Sequence, residues 1–527
     1  MAAADRLSAL PDDLLQHILS LASAKEAAAS SILSRRWRPL WRRTGVLNLD
    51  SRTYSTDQYD SYNGFFREAA AALAGSLRRR SGRRSGRRRC RRGTTIRRLT
   101  LFLEVHAHRR ADWYNRPEDD VRVAGLLADP AAAGLEELRV VCERYDHCDK
   151  MYSPPLASLP FAARLRVLDL ENCNVEPPPL SAFSSLKDLT LRHCFLLEGH
   201  LQDTWEDPYY MSNSYGLRLR LRCPTVTALV LETIACWDEL EDSTNTGFEI
   251  DMPSLRFFRY RGVAVRLSLV SPAPGLARVD IDATRSDDQP GHRNRNYEPS
   301  SRMLESFAGT RALKLRLDSI EDIALAGEEG IILPMFPNLK LLEIDGQYMY
   351  MNRNTAVAVA TLLRSCPAMS DLRLRLEMRW DYYYERKTED PAGGPFGEAM
   401  DRFERLASMS SAHRHDVELG GISELPAALT NSSFSCLETS LRKVTLQFKA
   451  KEVNCFQVQL AKFLVENAMV LDEMHIDDGS QFWLDHLCHK VERWRADSFR
   501  RRNLPDAAGF RVYQLANTAV DSGKSTD

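Results

Sequence analysis

The sequence predicts an α/β fold in which short strands stack one after another behind a small group of N-terminal helices. Three observations predict it: a leucine pattern that recurs along most of the chain, helical periodicity at residues 10–41, and an ordinary globular composition. Of the 527 residues, 44% are hydrophobic and 27% are charged, which is enough apolar material for an extended core.

The recurring pattern is L-x-x-L-x-L, with other aliphatic or aromatic residues allowed at the leucine positions. Its final L-x-L alternates with period two, so the apolar side chains share one face of a short strand. Copies occupy residues 96–101, 135–140, 165–170, 186–191, 226–231, 255–260, 276–281, 339–344, 369–374, 441–446 and 471–476, with a less regular copy at 310–317. Because one copy cannot bury its own apolar face, the copies must stack on one another.

Two copies extend to a longer motif. LRVLDLENCNV and LKDLTLRHCFL place Cys173 and Cys194 where leucine-rich repeats carry Asn or Cys at a turn. Residues 94–435 therefore resemble an irregular leucine-rich-repeat solenoid, with copies mostly about 20 to 40 residues apart. An ordinary parallel-sheet protein is the competing interpretation, but no glycine-rich phosphate loop follows any strand. Polar or aromatic stretches at 201–215, 283–302 and 380–425 are predicted to be loop insertions.

The first predicted helix follows Pro11, a residue tolerated in a first helical turn. Asp12 and Asp13 complement the positive N-terminal end of its dipole. Its apolar side chains form one stripe, Leu14, Leu15, Ile18 and Leu19.

Two more short helices are predicted before residue 42. Ser23 and Glu26 have the spacing of a capping box that starts a second helix, Ala27 to Leu33. Ser34 is expected to cap a third helix, which Pro39 should kink or shorten. Three helices of this size cannot bury all their apolar groups internally, so the surplus surface must contact the repeats or another protein.

The segment DRLSALPDDLLQHILSLASAKEAAASSILSRRWRPLW, continued by LNLD at 47–50, resembles an F-box. The resemblance implies a three-helix F-box over residues 1–50 that binds the Skp-type adaptor of a cullin–RING ubiquitin ligase. By this resemblance, adaptor contacts come from Leu10, Pro11, Leu14, Leu15, Ile18 and Leu19, and the surface is built or extended by Leu33, Trp37, Leu40 and Trp41. The alternative is that these helices only cap the first repeat, but a cap needs a polar outer face.

Residues 436–500 resemble the FBD region of plant F-box proteins, in which a helix lies between two strands. The helical stripe here consists of Phe456, Leu460, Phe463 and Leu464. A final helix is predicted from Leu484, Leu487, Cys488, Val491 and Trp494. This region is expected to close the solenoid, and residues 501–527 to form a tail.

Residues 51–93 are predicted to be a linker with an arginine-rich loop. The loop repels itself and lacks apolar residues, which predicts disorder. It is a candidate nuclear-import signal, and equally a loop of biased composition without a function. Nucleic-acid binding is disfavoured because no aromatic side chains are present to stack on bases. The arginines concerned are Arg78, Arg79, Arg80, Arg83, Arg84, Arg87, Arg88, Arg89, Arg91 and Arg92.

Composition and motifs argue against several other functions. With a net charge of −1, the chain as a whole has no electrostatic attraction to nucleic acid. No leader peptide or membrane-spanning run is expected. The 11 cysteines are scattered among leucine-rich segments, which suits reduced thiols in the nucleus or cytoplasm. No ligand spacing for a metal, cofactor motif or nucleophile–base signature stands out, so we expect a protein without catalysis, metal or cofactor.

The resemblances to an F-box, to leucine-rich repeats and to an FBD region imply the substrate-recognition subunit of a Skp–cullin–F-box ubiquitin ligase. Its expected partners are the adaptor, through it a cullin and a RING protein, and an unidentified protein target on the repeats. Two alternatives stay open: a leucine-rich-repeat scaffold that does not bind the adaptor, nuclear in location, and a nucleic-acid-associated protein that binds through the arginine run.

Overall fold

A computed structural model of the chain describes residues 10–54, 60–77, 96–103, 117–143, 152–175, 182–196, 218–234, 247–263, 266–284, 304–323, 333–349, 354–379, 400–401, 427–430, 432–449, 455–477, 485–505 and 509–514. Helices and strands both run through these residues, which confirms the predicted α/β class. The three predicted loop insertions and the arginine-rich loop fall mostly or wholly outside them.

The described helices are mostly short. They are α1 (Asp12–Leu21), α2 (Ala24–Ala29), α3 (Trp37–Leu40), α4 (Asp60–Leu77), α5 (Pro117–Leu127), α6 (Asn354–Ser365), α7 (Ala427–Thr430), α8 (Ser435–Thr439), α9 (Cys455–Asn467) and α10 (Asp485–Arg501). The helix predicted over the C-terminal end is confirmed as α10, and the helix between the last two leucine-pattern copies is confirmed as α9.

The described strands match the leucine pattern closely. They are β1 (Val46–Asp50), β2 (Arg98–Leu103), β3 (Glu137–Cys142), β4 (Val167–Glu171), β5 (Asn174–Val175), β6 (Asp188–Arg192), β7 (Phe195–Leu196), β8 (Arg218–Arg222), β9 (Ala228–Glu232), β10 (Gly247–Asp251), β11 (Phe257–Val263), β12 (Arg266–Leu269), β13 (Arg278–Thr284), β14 (Ala312–Leu317), β15 (Leu341–Met349), β16 (Asp371–Arg379), β17 (Lys443–Lys449), β18 (Glu473–Asp477) and β19 (Arg511–Gln514). Each predicted copy of the pattern overlaps one of these strands.

The chain divides into two compact units. Unit 1 comprises Met1–Ser243, Glu249–Leu255 and Val270–Ala273, and unit 2 comprises Thr244–Phe248, Arg256–Leu269 and Pro274–Asp527. Within unit 1, β1, β2, β3, β4, β6 and β9 pair in that order, all parallel. Within unit 2, the parallel order is β11, β13, β14, β15, β16, β17, β18 and β19.

The pairing register aligns the leucines of successive copies. In unit 1, Leu138 lies opposite Leu99 on one side and Leu168 on the other, and all three side chains are buried. In unit 2, Leu342 lies between Leu313 and Leu372 in the same manner. Full burial of such a side chain contributes about 1.5–3 kcal/mol, so the repeated pattern itself supplies the core of each unit.

A turn of one geometry follows three strands of unit 1. Asn172, His193 and Thr233 come directly after β4, β6 and β9, and their φ angles are 55°, 50° and 50°. The next residue in the first two turns is a fully buried cysteine, Cys173 or Cys194, as the longer motif predicts. The Cys194 thiol donates to the carbonyl of Arg192 over 3.2 Å, which satisfies a backbone acceptor inside the turn.

Elements near both ends of the chain differ from the sequence-based prediction. The predicted linker contains α4, and the predicted C-terminal tail contains β19, which pairs with β18. The F-box region ends in β1, which pairs with β2. Both strands are short. β19 forms without the leucine pattern because hydrogen bonds to its neighbour β18 hold it.

A buried arginine joins the two C-terminal helices. Arg495 of α10 donates from Nη1 to the carbonyl of Ala468 over 2.8 Å and from Nη2 to that of Leu471 over 3.0 Å, and it also contacts the carbonyls of Val465 and Met469. Carbonyls at and beyond a helix C-terminus have no partners within the helix, and this guanidinium supplies them. Burial lowers the pKa of Arg495 to about 10, so it remains charged at neutral pH.

Candidate functional site

The three F-box helices enclose a small apolar core. Its members are Leu15, Leu19, Ala27, Trp37 and Leu40, with Leu10, Ala22 and Trp41 packed against them. Leu15 and Leu19 lie four residues apart on α1 and therefore point to the same side of that helix. Only one side of α1 packs into this core, so its other side faces solvent or a partner.

The ends of the helices are fixed by polar contacts. The predicted capping box at the start of α2 is confirmed: the Glu26 N–H donates to Ser23 Oγ over 3.3 Å, and the Ser23 N–H donates to Glu26 Oε2 over 3.1 Å. This helix starts at Ala24 and not at the predicted Ala27, and after Ala29 the chain tightens into one 3₁₀ turn.

The predicted cap of the third helix is wrong. The helix begins at Trp37, directly after Arg36, and Ser34 does not cap it. Arg36 instead reaches back to the start of α1, where Nε donates to Asp12 Oδ1 over 2.8 Å and Nη2 donates to the Leu10 carbonyl over 2.6 Å. This charged contact holds α3 against α1, which a local cap could not do.

The F-box is fastened to the first strand. The Asn48 side chain in β1 donates to the carbonyls of Ser20 and Ala22, over 2.8 and 3.0 Å, and so satisfies acceptors at the C-terminal end of α1. Lys25 of α2 donates to the Thr53 carbonyl over 3.0 Å and lies over the Tyr54 ring. These contacts set the orientation of α1 and α2 relative to β1.

Tyr54 extends this junction toward α4. Its hydroxyl donates to Glu68 Oε2 over 2.6 Å. Burial, and then the neighbouring carboxylate, raise the pKa of Tyr54 above its usual value. Tyr54 is therefore a neutral hydrogen-bond donor at physiological pH.

Five large apolar side chains are exposed on α1 and in the turn that follows α2. We call these five the outer apolar face, and their exposed fractions are 51% for Leu14, 42% for Ile18, 71% for Leu21, 87% for Ile32 and 69% for Leu33. Leu14, Ile18 and Leu21 follow the i, i+4, i+7 spacing of one helical stripe. An exposed apolar stripe of this kind is typical of a protein-interaction surface.

The structure divides the predicted adaptor-binding residues into three groups. Pro11, Leu14, Ile18 and Leu33 are exposed, Leu10 and Trp41 are half-buried, and Leu15, Leu19, Trp37 and Leu40 are buried. The stripe predicted on α1 is thus two adjacent stripes, one in the core and one on the surface. Direct contact with an adaptor stays a prediction for all ten, and the four buried residues lie beneath the surface that would make it.

Two members of the outer apolar face, Leu21 and Ile32, are absent from the predicted set. Leu21 follows Ile18 by three residues, so helical spacing alone could have identified it. Ile32 carries no comparable signal, because it lies in the 3₁₀ turn after α2, where helical periodicity no longer applies.

Other predicted features can be placed only in part. The arginines of residues 78–92 lie outside the described residues, so the nuclear-import prediction remains a prediction. In the described part of the chain, no group of His, Cys, Asp or Glu side chains could hold a metal ion. A search of those residues for helices with the length and hydropathy of a membrane span finds none.

Comparison with known proteins identifies the family. A model of the F-box domain matches residues 7–48. An F-box/FBD/LRR-repeat protein of Arabidopsis thaliana is 54% identical over 393 residues, which cover 71% of this chain and 79% of that protein. The chain belongs to the plant F-box/LRR-repeat family. An F-box/LRR-repeat protein of Arabidopsis is 42% identical over 376 residues, or 70% of this chain and 72% of that protein.

A rice relative is more distant. The MEIOTIC F-BOX protein MOF of Oryza sativa subsp. japonica is 25% identical over 392 residues, covering 70% of this chain and 71% of its own length. F-box domains generally bind Skp-type adaptors, and F-box/LRR proteins are generally non-catalytic adaptors of ubiquitin ligases. The F-box/LRR-repeat family predicted from the sequence is therefore confirmed.

Proposed function

We propose that this F-box/LRR-repeat protein is the substrate-recognition subunit of a Skp–cullin–F-box ubiquitin ligase. The F-box binds the Skp-type adaptor through the outer apolar face, and the adaptor links the chain to a cullin and a RING protein. The repeats bind a target protein. The observation that carries the proposal is that the F-box core is closed while five large apolar side chains remain outside it.

The energetics of the outer apolar face support this partner. Transfer of one large apolar side chain from water into an interface is worth about 1.5–3 kcal/mol. Leu14 and Ile18 project from α1, whose position is fixed by Arg36 on one end and Asn48 on the other. A pre-positioned surface loses little conformational entropy on binding, which favours a stable adaptor complex.

The proposed target-binding part is an irregular leucine-rich-repeat solenoid. Three features support it: the parallel strands follow chain order within each unit, their leucines align in register, and the turns after β4, β6 and β9 share one backbone geometry. Stacked repeats of this kind present one row of outward side chains per strand position, which is a large surface for protein recognition.

No catalytic residue is required in this role. The subunit would accelerate transfer of ubiquitin by holding a target lysine near the charged carrier on the partner enzymes. The proposal also assigns the chain to the nucleus or cytoplasm, where thiols stay reduced. In support, Cys142, Cys173, Cys194, Cys223, Cys366 and Cys436 are buried thiols that form no disulfide.

The test is co-purification of the full chain with a tagged Skp-type adaptor. The double variant Leu14→Asp, Ile18→Asp should lower the affinity at least about a hundredfold, because two apolar contacts are lost and two charges must be desolvated. A matched control changes Met335 and Val270 to Asp, since these side chains are 56% and 43% exposed and lie outside the F-box.

The expected result is a stoichiometric complex for the wild type and the control but not for the F-box variant. Circular dichroism and thermal melting should show all three proteins folded. Failure of the folded wild type to bind any Skp-type adaptor would overturn the ligase role and favour a scaffold protein. Equal binding by the F-box variant would reject the outer apolar face as the binding surface.

A further inference from the structure

The polar face of the unit 2 sheet carries two rows of alternating charge. Each row crosses β11, β13, β14, β15 and β16 at paired positions, so its members are direct neighbours on adjacent strands. The first row is Arg259, Asp280, Lys314, Glu343 and Arg373, and the second is Arg261, Asp282, Arg316, Asp345 and Arg375. We call these ten residues the charged rows.

Neighbours along the charged rows form ion pairs. Arg259 Nη2 lies 3.0 Å from Asp280 Oδ2, and Arg373 Nη1 lies 2.9 Å from Glu343 Oε1. In the second row, Arg316 Nη1 lies 3.4 Å from Asp282 Oδ2. Every carboxylate of the rows therefore has a cation beside it, and the six cations outnumber the four carboxylates by two.

The two signs of charge lie at different depths. The side chains of Asp280, Asp282, Glu343 and Asp345 are only 7–19% exposed. The side chains of the cations are 33–59% exposed, and they are Arg259, Arg261, Lys314, Arg316, Arg373 and Arg375. Long basic side chains rise past the short carboxylates, so a partner approaching this face first contacts guanidinium groups.

These guanidinium groups retain donors for a partner. A guanidinium has five N–H donors. Among the described residues, Arg316 contacts Asp282 through Nη1, and Arg375 contacts Asp345 through Nη1 and the Gln447 side chain through Nε. These contacts use one nitrogen of Arg316 and two of Arg375, and their other guanidinium N–H groups have no hydrogen-bond partner among the described residues.

The spacing of the outer cations selects the shape of a ligand. Arg261, Arg316 and Arg375 share one row, and each is two strands from the next. Adjacent strands are about 4.8 Å apart, so these cations repeat about every 9.6 Å. A polyproline II helix has three residues per turn and rises about 3.1 Å per residue, so its every third side chain recurs about every 9.3 Å on one side.

Resting on the proposed function, we propose that the charged rows bind an acidic, extended segment of the target protein. Carboxylates at every third residue accept hydrogen bonds from Arg261, Arg316 and Arg375 in turn. Such charge-assisted contacts are short-range and roughly twice as strong as neutral hydrogen bonds.

Nucleic acid fits this face less well. The attraction of a polyanion depends on neutralising many phosphates with uncompensated cations. Here the inner carboxylates cancel most of the field beyond a Debye length of about 8–10 Å. Recognition is therefore expected from individual carboxylates in direct contact with the guanidinium groups.

The test uses the full-length chain and a fluorescein-labelled peptide, EPPEPPEPP, in fluorescence anisotropy. The matched probes are QPPQPPQPP, a peptide of the same composition with its three Glu adjacent, and a twelve-residue oligo-dT strand as competitor. We expect EPPEPPEPP to bind at least about tenfold more tightly than either other peptide, and oligo-dT not to displace it.

Two variants locate the binding. The double variant Arg316→Gln, Arg375→Gln should weaken binding of EPPEPPEPP at least about tenfold. The control is Arg500→Gln, which removes a 77% exposed arginine of α10 that pairs with Asp497 away from the charged rows. If the double Gln variant does not fold, Arg316→Lys, Arg375→Lys decides the question, since Lys keeps the charge but lacks the planar fork and should weaken binding several-fold.

Equal binding of the Gln peptide or the clustered peptide, an unaffected Arg316/Arg375 variant, or displacement by oligo-dT would each overturn this inference. Adaptor capture is measured on the same preparations and does not depend on these arginines. Loss of peptide binding with normal adaptor capture therefore rejects only the charged rows. Normal peptide binding without adaptor capture rejects the ligase role and leaves the acidic-segment site standing.

Discussion

The two units use the same buried pattern but present different polar faces. Unit 2 carries the charged rows, in which cations alternate with carboxylates and lie outermost. On the corresponding face of unit 1, half-buried apolar side chains, Phe102, Val141 and Val230, lie among the charges. Its charged cluster consists of Arg139, Asp169, Glu171, Arg192 and Glu232, so carboxylates outnumber arginines there.

This difference shows which positions of a strand define the fold and which are free to define a binding surface. The inward residues of each strand must be apolar because the neighbouring strands bury them. The outward residues alternate with them and are under no such requirement. One repeat architecture can therefore carry an apolar, acidic-leaning face in one unit and an arginine-covered face in the other.

Matched core substitutions should have the largest effects on the free energy of unfolding, and these effects should be similar in the two units. Leu168→Ala in β4 and Leu342→Ala in β15 each remove a fully buried leucine from the middle of an aligned row. We expect each to lower the free energy of unfolding by about 2–5 kcal/mol. Denaturant unfolding followed by circular dichroism measures both, and a negligible cost in one unit would show that the two cores are not equivalent.

The C-terminal end of unit 2 adds a polar contact to this core. Replacement of Arg495 by Met keeps much of the volume but leaves the carbonyls of Val465, Ala468, Met469 and Leu471 without this donor. The expected loss of stability is about 2–3 kcal/mol. Thermal melting provides the measurement, with Arg500→Met as the control, since Arg500 is exposed and pairs with Asp497 of its own helix. If the two variants melt alike, the buried guanidinium does not hold α9 and α10 together.

Removal of one face arginine from each unit should distinguish the two surfaces. Arg192 contacts Asp169, Glu171 and Glu232 and is 28% exposed, so Arg192→Gln leaves these three carboxylates with Arg139 beside two of them. We expect Arg192→Gln to lower the free energy of unfolding by about 1–2 kcal/mol. Arg316→Gln removes a 59% exposed side chain from the charged rows and should cost less than about 1 kcal/mol.

Chemical denaturation of the two variants in parallel compares these costs. Raising the ionic strength to about 1 M shortens the screening length to about 3 Å. This should reduce the loss of stability caused by Arg316→Gln more than the loss caused by Arg192→Gln. Equal losses of stability from the two substitutions would mean that the ion pairs of the charged rows are as strong as those of the unit 1 cluster.

The strands were predictable because their signal is local and repeated. Each copy of the leucine pattern specifies a strand without reference to its neighbours, and the buried cysteines after β4 and β6 follow from the same motif. The strand β19 and the helix α4 were not predicted because they depend on tertiary neighbours more than on a repeated signal.

The surfaces were less predictable than the strands. Leu14 and Leu15 are adjacent leucines, and only packing against α3 and β1 determines that Leu15 turns inward. The charged rows require the register between strands such as β13 and β14, which are not adjacent in the sequence. Loops set that register, and loop conformation cannot be derived from the period-two pattern.

The smallest expected effect is a pH dependence that arises at Asp169 of unit 1. Burial raises the pKa of Asp169, against the opposing effect of Arg192 and Arg139. A carboxyl group with a raised pKa favours the folded state fully below its unfolded pKa of about 3.9 and loses that contribution as the pH rises through the folded pKa. The free energy of unfolding of the wild type should therefore fall relative to that of Asp169→Asn as the pH rises from about 3 to 6. Urea titrations of both proteins across this range measure the difference. A wild type that gains stability relative to Asp169→Asn over the same range would mean that the arginines, not burial, dominate at this carboxylate.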